Sequence, residues 1–481
     1  MTYAALEAAV NAFAAALQGI DAVPGSRVAI CAKNTAEHLI ALLATYAAGK
    51  VWVPLNPRNG RAVLDAMLLA TRPAIIVADE SCVDRFTPTG APLIMAKCGE
   101  VVDHHLTVRG LVAQWAGKTP HRIARDDEDA QIIKFSGGST GSPKPVIQAI
   151  RCINAQADGI REFFEFRSDD VNLIAAPLTH GASCFVLPIL EVGGCHVLLE
   201  EAKPTAVLDA IATHAVTTMY APPTLLYALL DGPLLDTGDR PSPMTRSLRH
   251  VIYSAAPMSA ERIRDCQRVF GPVIETAYGQ VEAPQIVTAM RAGELMADEN
   301  LASVGRPSPM ATVGIMSDDG TLKSAGEVGE IVVAGPLLMS GYLDRPEATA
   351  SAITDGWLHT GDIGLIDNRG YLFIRGRLRE LINSGGFKVF PGKVEAALGR
   401  HPAVLECAVF GVDDPKWGEA VNAAVVVRRG STVGGEELIA YVKDELGSVN
   451  APKRIHFVDR LERNAAGKVS RAAVRDAVGR S

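Results

Sequence analysis

The chain has 481 residues, 48% of them hydrophobic and 21% charged, with a net charge of −7 at pH 7. That length exceeds one ordinary domain, so two or more are expected. The acidic balance argues against general nucleic-acid affinity, and no apolar run approaches the roughly 18 residues of a membrane span. The opening MTYAALEAAVNAFAAALQ carries Glu7 and no basic lead, so it does not read as a secretory signal. Eight cysteines are scattered with no CxxC pair, and reduced thiols in a cytoplasmic protein are the expectation.

Apolar residues at helical spacing predict a helix from Ala4 to Leu17. RVAIC, Arg27 to Cys31, reads as a buried strand, Glu37 to Ala48 as a helix, and Val51 to Pro54 and Ala74 to Ala78 as further strands. Buried apolar runs alternating with helices predict α/β layers with largely parallel strands. From about Val304 to Ile374 short strands such as Gly329 to Ala334 and Gly370 to Ile374 are separated by turn residues, which predicts a small β-rich subdomain. From Gly376 onward the pattern is compact α+β, with strands in VLECAVFGV and NAAVVVRRG and a helix from Gly435 to Leu446. The fold class is α/β, with a large multi-layer domain over 1–378 and a small α+β domain over 379–481.

The stretch FSGGSTGSPKPV, Phe135 to Val146, is rich in glycine and hydroxyls and ends in a lysine between two prolines. It suits an anion, but it is not a Walker A loop: Pro143 and Pro145 argue against a helix starting at Lys144. Taken alone, it would most simply be a tight surface turn. Tyr278-Gly279-Gln280-Val281-Glu282 sets a carboxylate just after a tight turn, and Leu358-His359-Thr360-Gly361-Asp362 sets another at a strand-to-turn junction. Gly376 to Glu380, Ser384-Gly385-Gly386 and Asn464 to Val469 follow in order. Singly, Glu282 and Asp362 are ordinary turn or cap residues and Lys468 an ordinary solvated charge.

In this order and spacing the motifs resemble the adenylate-forming superfamily of acyl-CoA synthetases, peptide-synthetase adenylation domains and luciferases. The resemblance runs from Tyr3 to Arg471 and is nearest to bacterial acyl-CoA and aryl-CoA ligases. It implies an enzyme, an AMP-forming acid–thiol ligase using ATP, Mg²⁺ and coenzyme A on a carboxylic acid. The glycine-rich loop is then the ATP phosphate grip, with backbone N–H groups, the hydroxyls of Ser136, Ser139 and Thr140, the glycines 138 and 141, and Lys144. The resemblance further implies that Glu282 holds Mg²⁺, that Asp362 accepts the ribose hydroxyls, and that Arg377 approaches ribose or phosphate. Tyr278 stacks on adenine beside Gly279 and Ala256, and Lys468 bridges the acid carboxylate and the α-phosphate.

In relatives the small domain rotates between half-reactions, and Arg379 stands at the hinge position. Gly385 and Gly386 would then line the pantetheine tunnel, with Lys416 and Trp417 meeting the CoA nucleotide; core packing is the competing role for Trp417. The acid pocket is expected at His180, Gly181, Tyr220, Ser254, Ala255, Ala277 and Gln285, with His180 as its gate or wall. Polar walls favour a small hydroxylated or branched acid such as 2-hydroxyisobutyrate over a plain fatty acid, with a benzoate-type aryl acid as the alternative.

Three positions depart from the family pattern: Gly137, Pro145 and Val281. The last removes a hydroxyl that Thr276 or Ser254 could replace. Loading of a protein-bound pantetheine, or a binder that has lost its chemistry, are the other classes; retained Lys468, Glu282 and Asp362 argue against the second. Relatives commonly carry a leader before the position of Thr2 to Leu6, so a homo-oligomer contact is expected over apolar surface there.

Overall fold

The computed structural model describes residues 1–481 except 97–105, 137–142, 233, 235–241, 464–467 and 480–481. The first helix, Tyr3–Ile20, begins where the Thr2 hydroxyl accepts from the Ala5 N–H, and it buries Ala9, Phe13, Ala16 and Leu17 along one stripe. Thr35 caps the helix Ala36–Ala47 in the same way. Between them Arg27–Cys31 is buried at four of five positions, as a strand covered on both faces must be.

These elements belong to an eight-stranded sheet whose centre, Val51–Pro54, Arg27–Cys31 and Ile75–Ala78, is parallel. One edge of that sheet is the antiparallel hairpin Ala130–Ser136 and Lys144–Ala149, joined by Gly341–Tyr342. A seven-stranded sheet follows, with Val171–Ile174, Thr218–Tyr220, His250–Tyr253 and Ile274–Tyr278 parallel. Asn34 docks the two sheets: its amide donates to the Ile174 and Ala176 carbonyls at 3.2 and 3.0 Å and accepts from the Leu178 N–H at 2.9 Å. That junction brings the carboxyl ends of both parallel sheets to one cleft, where ligands of such sheets bind.

A five-stranded antiparallel sheet contains Thr312–Met316, Gly329–Ala334 and Trp357–Ile366, the β-rich segment expected, and Leu372–Arg377 closes it. A three-residue turn, Leu378–Glu380, leads into a fourth sheet built on Val404–Asp414 and Gly418–Val427. The helices Pro391–Gly399 and Gly435–Leu446 cover one face over Val394, Leu398, Val425 and Leu438. Arg471–Val478 covers the other face through Val474. Arg471, at the start of that helix, donates twice to Glu395 at 2.8 and 2.6 Å and also pairs with Glu380.

One sequence expectation is corrected. Asp362 is not at the end of a strand but inside the ten-residue strand Trp357–Ile366. Opposite Glu330 to Val332 this strand carries extra residues, and Gly361 takes a φ of +69° there. The bulge turns the backbone without ending the strand, so the sequence signature of a turn is real while the strand continues.

His38, His180 and His196 are each pushed down to about 4, chiefly by burial. Their folded values lie below the unfolded value of about 6.5, so the unfolded chain binds more protons between pH 4 and 6.5. Stability is therefore fully present above pH 6.5 and falls as pH drops toward 4, by up to about 3 kcal/mol for each histidine. Urea unfolding at pH 7.0 and pH 5.0 is expected to show a clear loss at pH 5.0, reduced in His38→Gln.

Candidate active site

The phosphate-loop reading rests on a hairpin. Ser136 ends one strand and lies directly across from Lys144, which opens the next. Lys144 thus starts a strand, not a helix, as its flanking prolines require. Gly138, Ser139, Thr140 and Gly141 lie outside the described residues. The Lys144 ammonium stands 5.1 Å from the centre of the Tyr342 ring, and the Tyr342 hydroxyl donates to Glu282 Oε1 at 3.1 Å. A basic group at the loop base and the candidate Mg²⁺ carboxylate are therefore joined through one phenol. Tyr342 was not legible as a site residue, because only the pairing of Gly341–Tyr342 with Val146 and Ile147 brings it there.

Glu282 sits in a loop that leaves no room for a side chain at its start. A Cβ on Gly279 would lie 2.4 Å from the Gln285 N and 2.9 Å from the Ala283 O. The Gln280 N–H donates to the Ala283 carbonyl, and Gln148 donates to the Val281 carbonyl at 2.8 Å. Of the two replacements expected for the hydroxyl missing at Val281, Thr276 does not serve. Thr276 bonds the phenol of Tyr253, which belongs to the cluster around Leu226 and Val251, whereas the adjacent Ala277 faces the other core. Successive residues of a strand point to opposite sides.

Asp362 is the centre of the cleft. It is 3% exposed. Its Oδ2 accepts from the Tyr278 hydroxyl and from the Gln280 amide, both at 2.6 Å, and its Oδ1 accepts from Arg377 Nε at 3.0 Å. Arg377 is its cross-strand neighbour, so the pairing of two strands fixes the ion pair. Tyr278 is pushed well up by burial and by the Asp362 charge, which keeps the phenol a donor. Gln280 also holds the Thr360 carbonyl at 3.0 Å and is a second group the sequence did not single out.

Lys468 reaches this cluster from the far side of the turn Leu378–Glu380. Its pKa is lowered by burial and by the Arg377 guanidinium, with Asp362 opposing. His180 is lowered by burial first, then by Lys134, Lys468 and Arg58. Three cations thus act on one neutral imidazole, which makes this end of the cleft attractive to a carboxylate and to phosphate oxygens. Arg58, on the loop after Val51–Pro54, has no motif signal in the sequence.

The residues expected to form the acid wall lie on several loops and strand ends. His180 precedes the short 3-10 turn Gly181–Phe185. Tyr220 is buried and stacks on Phe185 with ring centres 5.4 Å apart. Its phenol lies against Gly181, where a Cβ would be 2.5 Å from the hydroxyl oxygen. Ser254 and Ala277 are buried, and Ala255 and Gln285 adopt φ of +76° and +62°. Such angles cost a residue with a Cβ about 1–2 kcal/mol, so the surrounding packing holds these loops in place. Ala256 follows in the same loop.

On the fourth sheet, Gly385 and Gly386 have φ of +60° and +83°, and nothing stands within 4 Å of a Cβ built on Gly386. Trp417 is 37% exposed, with the ammonium groups of Lys416 and Lys453 at 4.9 and 5.3 Å from its ring. It is therefore a surface group beside the glycines, not core. Arg379 is exposed in the turn between the third and fourth sheets. Among the described residues no helix is long and apolar enough to cross a membrane.

Comparison with known proteins meets this geometry. A family model described as AMP-binding enzyme matches residues 1–343, and one described as AMP-binding enzyme C-terminal domain matches residues 393–468. The chain is 34% identical over 482 residues to a feruloyl-CoA synthase of Amycolatopsis sp, covering 100% of this chain and 94% of that protein. It is 38% identical over 362 residues to the medium/long-chain-fatty-acid–CoA ligase FadD8 of Mycobacterium tuberculosis, a match to 73% of this chain that spans 62% of the relative. The structure of the amide bond synthetase McbA from Marinactinospora thermotolerans is similar with a TM-score of 0.89 at 31% identity, covering 99% of this chain and 94% of that one. The chain belongs to the AMP-binding enzyme family, as an AMP-forming acid–thiol ligase whose reactants are ATP with Mg²⁺, a carboxylic acid and coenzyme A.

Proposed function

We propose that this ligase acts on a small hydroxylated or branched acid, of which 2-hydroxyisobutyrate is representative, in the cytoplasm. The observation that carries the two-step reading is the meeting of Lys468 with Arg377, Asp362 and His180 in one cleft. In the first half-reaction the acid carboxylate attacks the α-phosphorus of ATP, and pyrophosphate leaves. Two anions must approach, and the cations of this cleft lower that repulsion. Asp362 holds the ribose, Tyr278 lies against the adenine, and Lys468 bridges carboxylate and α-phosphate. Glu282 is linked to the loop base through Tyr342 and Lys144; it suits Mg²⁺, which takes one or two carboxylates and completes its shell with phosphate and water. That ion, when bound, supplies charge neutralisation at the phosphates.

In the second half-reaction the thiol attacks the acyl carbon and AMP leaves. We assign the large domain to 1–378 and the small one to 379–481, turning at Arg379, so that Lys468 withdraws and Gly385, Gly386, Lys416 and Trp417 come to the thiol substrate.

The size of the acid follows from Tyr220. Its ring is wedged between Phe185 and Gly181, which argues for a short acyl chain on this side. The Tyr220 phenol, His180 and the buried Gln285 amide are the polar groups we assign to the acid's surroundings. An aryl acid is the second reading, favoured by the likeness to feruloyl-CoA synthase. AMP release across a panel of acids, with free CoA, a pantetheinylated carrier protein or an amine as acceptor, tests the assignment. AMP and thioester formed only with free CoA support it; product formed only with the carrier or the amine overturns it.

Tyr220→Phe is expected to narrow the preference for 2-hydroxyisobutyrate over isobutyrate by about 1–3 kcal/mol, roughly tenfold to a hundredfold in the ratio of kcat/KM. A site that bonds a hydroxyl rejects the analogue lacking it, because its own polar groups are left unpaired. A wild-type enzyme that ignores the hydroxyl, or prefers benzoates, would give the lead to the aryl reading.

A further inference from the structure

Behind the acid wall lies a small cavity lined in part by Lys134, one of the cations that act on His180. Strand Ala130–Ser136, helices Ala36–Ala47 and Ile150–Phe164, and the turn Gly181–Phe185 enclose it, with Trp52 at one side. Its volume is about 10 Å³, room for one water-sized body. Among the described residues no carboxylate lines it.

Its polar lining is Tyr46, Trp52, Lys134, Gln156 and Ser183, with three donor groups on Trp52, Lys134 and Gln156. Lys134 extends over the Trp52 ring at 5.6 Å and donates to Ser183 Oγ at 3.0 Å, which leaves further N–H groups of the ammonium. Ser183 has spent its own proton on the His180 carbonyl at 2.8 Å. Among the described residues the Trp52 indole N–H has no partner although the residue is 0% exposed, and the Gln156 side-chain nitrogen has none at 5% exposure. Unpaired buried donors cost about 1–3 kcal/mol each, so an acceptor that meets them is strongly favoured.

We infer that this cavity is a binding site for a monatomic anion, a halide. A water molecule accepts about two hydrogen bonds and brings two protons that need acceptors of their own. A halide accepts from all three donors at once and carries the charge opposite to Lys134. Tryptophan and lysine donate only, and indole nitrogen cannot be turned into an acceptor by reorientation. The ion would also steady the acid wall, since Lys134 and His180 are linked through the single hydroxyl of Ser183. The cavity shares Lys134 and Ser183 with the back of the acid wall, and the inference stands whether or not the acid is the one proposed.

The test is anomalous diffraction from wild-type crystals grown in sodium bromide, with sodium gluconate as the control. A bromide peak inside the cavity is expected. Lys134→Met and Gln156→Leu are each expected to weaken halide binding at least about tenfold, read from the rise in Tm with bromide over gluconate at fixed ionic strength. If one variant does not fold, the other decides. A cavity that shows no bromide at molar concentration, or a halide effect undiminished in a folded variant, overturns the inference.

Discussion

Lys468→Ala is expected to slow adenylate formation by about a hundredfold to a thousandfold while sparing thioester formation from pre-made acyl-adenylate. In the structure partial desolvation and the Arg377 guanidinium work against the charge of Lys468, and Asp362 works for it. An ammonium held at such a position gains most when two further anions arrive, the acid carboxylate and the α-phosphate. Its stabilisation is therefore larger in the adenylation transition state than in the resting enzyme, which is the condition for a rate effect. The second half-reaction has no such need, and in the proposed cycle Lys468 has withdrawn by then. Rapid-quench single turnovers of each half, with Lys468→Arg as the charge-retaining control, make the comparison. Equal loss in both halves would remove the basis for a switch.

Asp362→Ala is expected to have the second largest effect, and on two quantities together. The change leaves the Tyr278 hydroxyl, the Gln280 amide and the Arg377 guanidinium without their shared acceptor. Arg377 is half exposed and Gln280 partly so, and both can turn to water; the Tyr278 phenol is buried. A fall in unfolding free energy of about 3 kcal/mol is expected, with a rise of at least about a hundredfold in the KM for ATP. Urea melts and initial rates at saturating acid and CoA measure the two. Asp362→Asn keeps the shape but presents a donor to donors, so it should restore less than half of the stability. A variant that melts as wild type does would mean that the observed bonds are not held in solution.

Much of the fold was legible because its signals are local. The run RVAIC is uniformly apolar because both faces of its strand are covered, and Gly435–Leu446 shows its stripe because only one face is. The proline pair around Lys144 correctly ruled out a helix there. The candidate site was legible as motifs, not as contacts. Tyr278, Asp362 and Arg377 could each be named, but that they form one hydrogen-bonded cluster depends on a cross-strand register and on the meeting of two sheets. Gln280, Tyr342, Arg58 and Lys134 carry no sequence signal: their neighbours are supplied by distant segments. Asp362 was placed at a strand end for a related reason, since a glycine at positive φ marks a bulge and a turn alike.

The ion pairs of Arg471 bear on timing. This side chain, three positions after Lys468, grips Glu395 and also Glu380, the residue next to the proposed pivot. In the proposed cycle those pairs tie the segment that follows Lys468 to the start of the small domain, so that Lys468 withdraws with that domain and not on a loop of its own. The stroke that ends the adenylation geometry would then be the stroke that begins the thiol geometry, and the reactive adenylate would pass from one machinery to the other in a single motion.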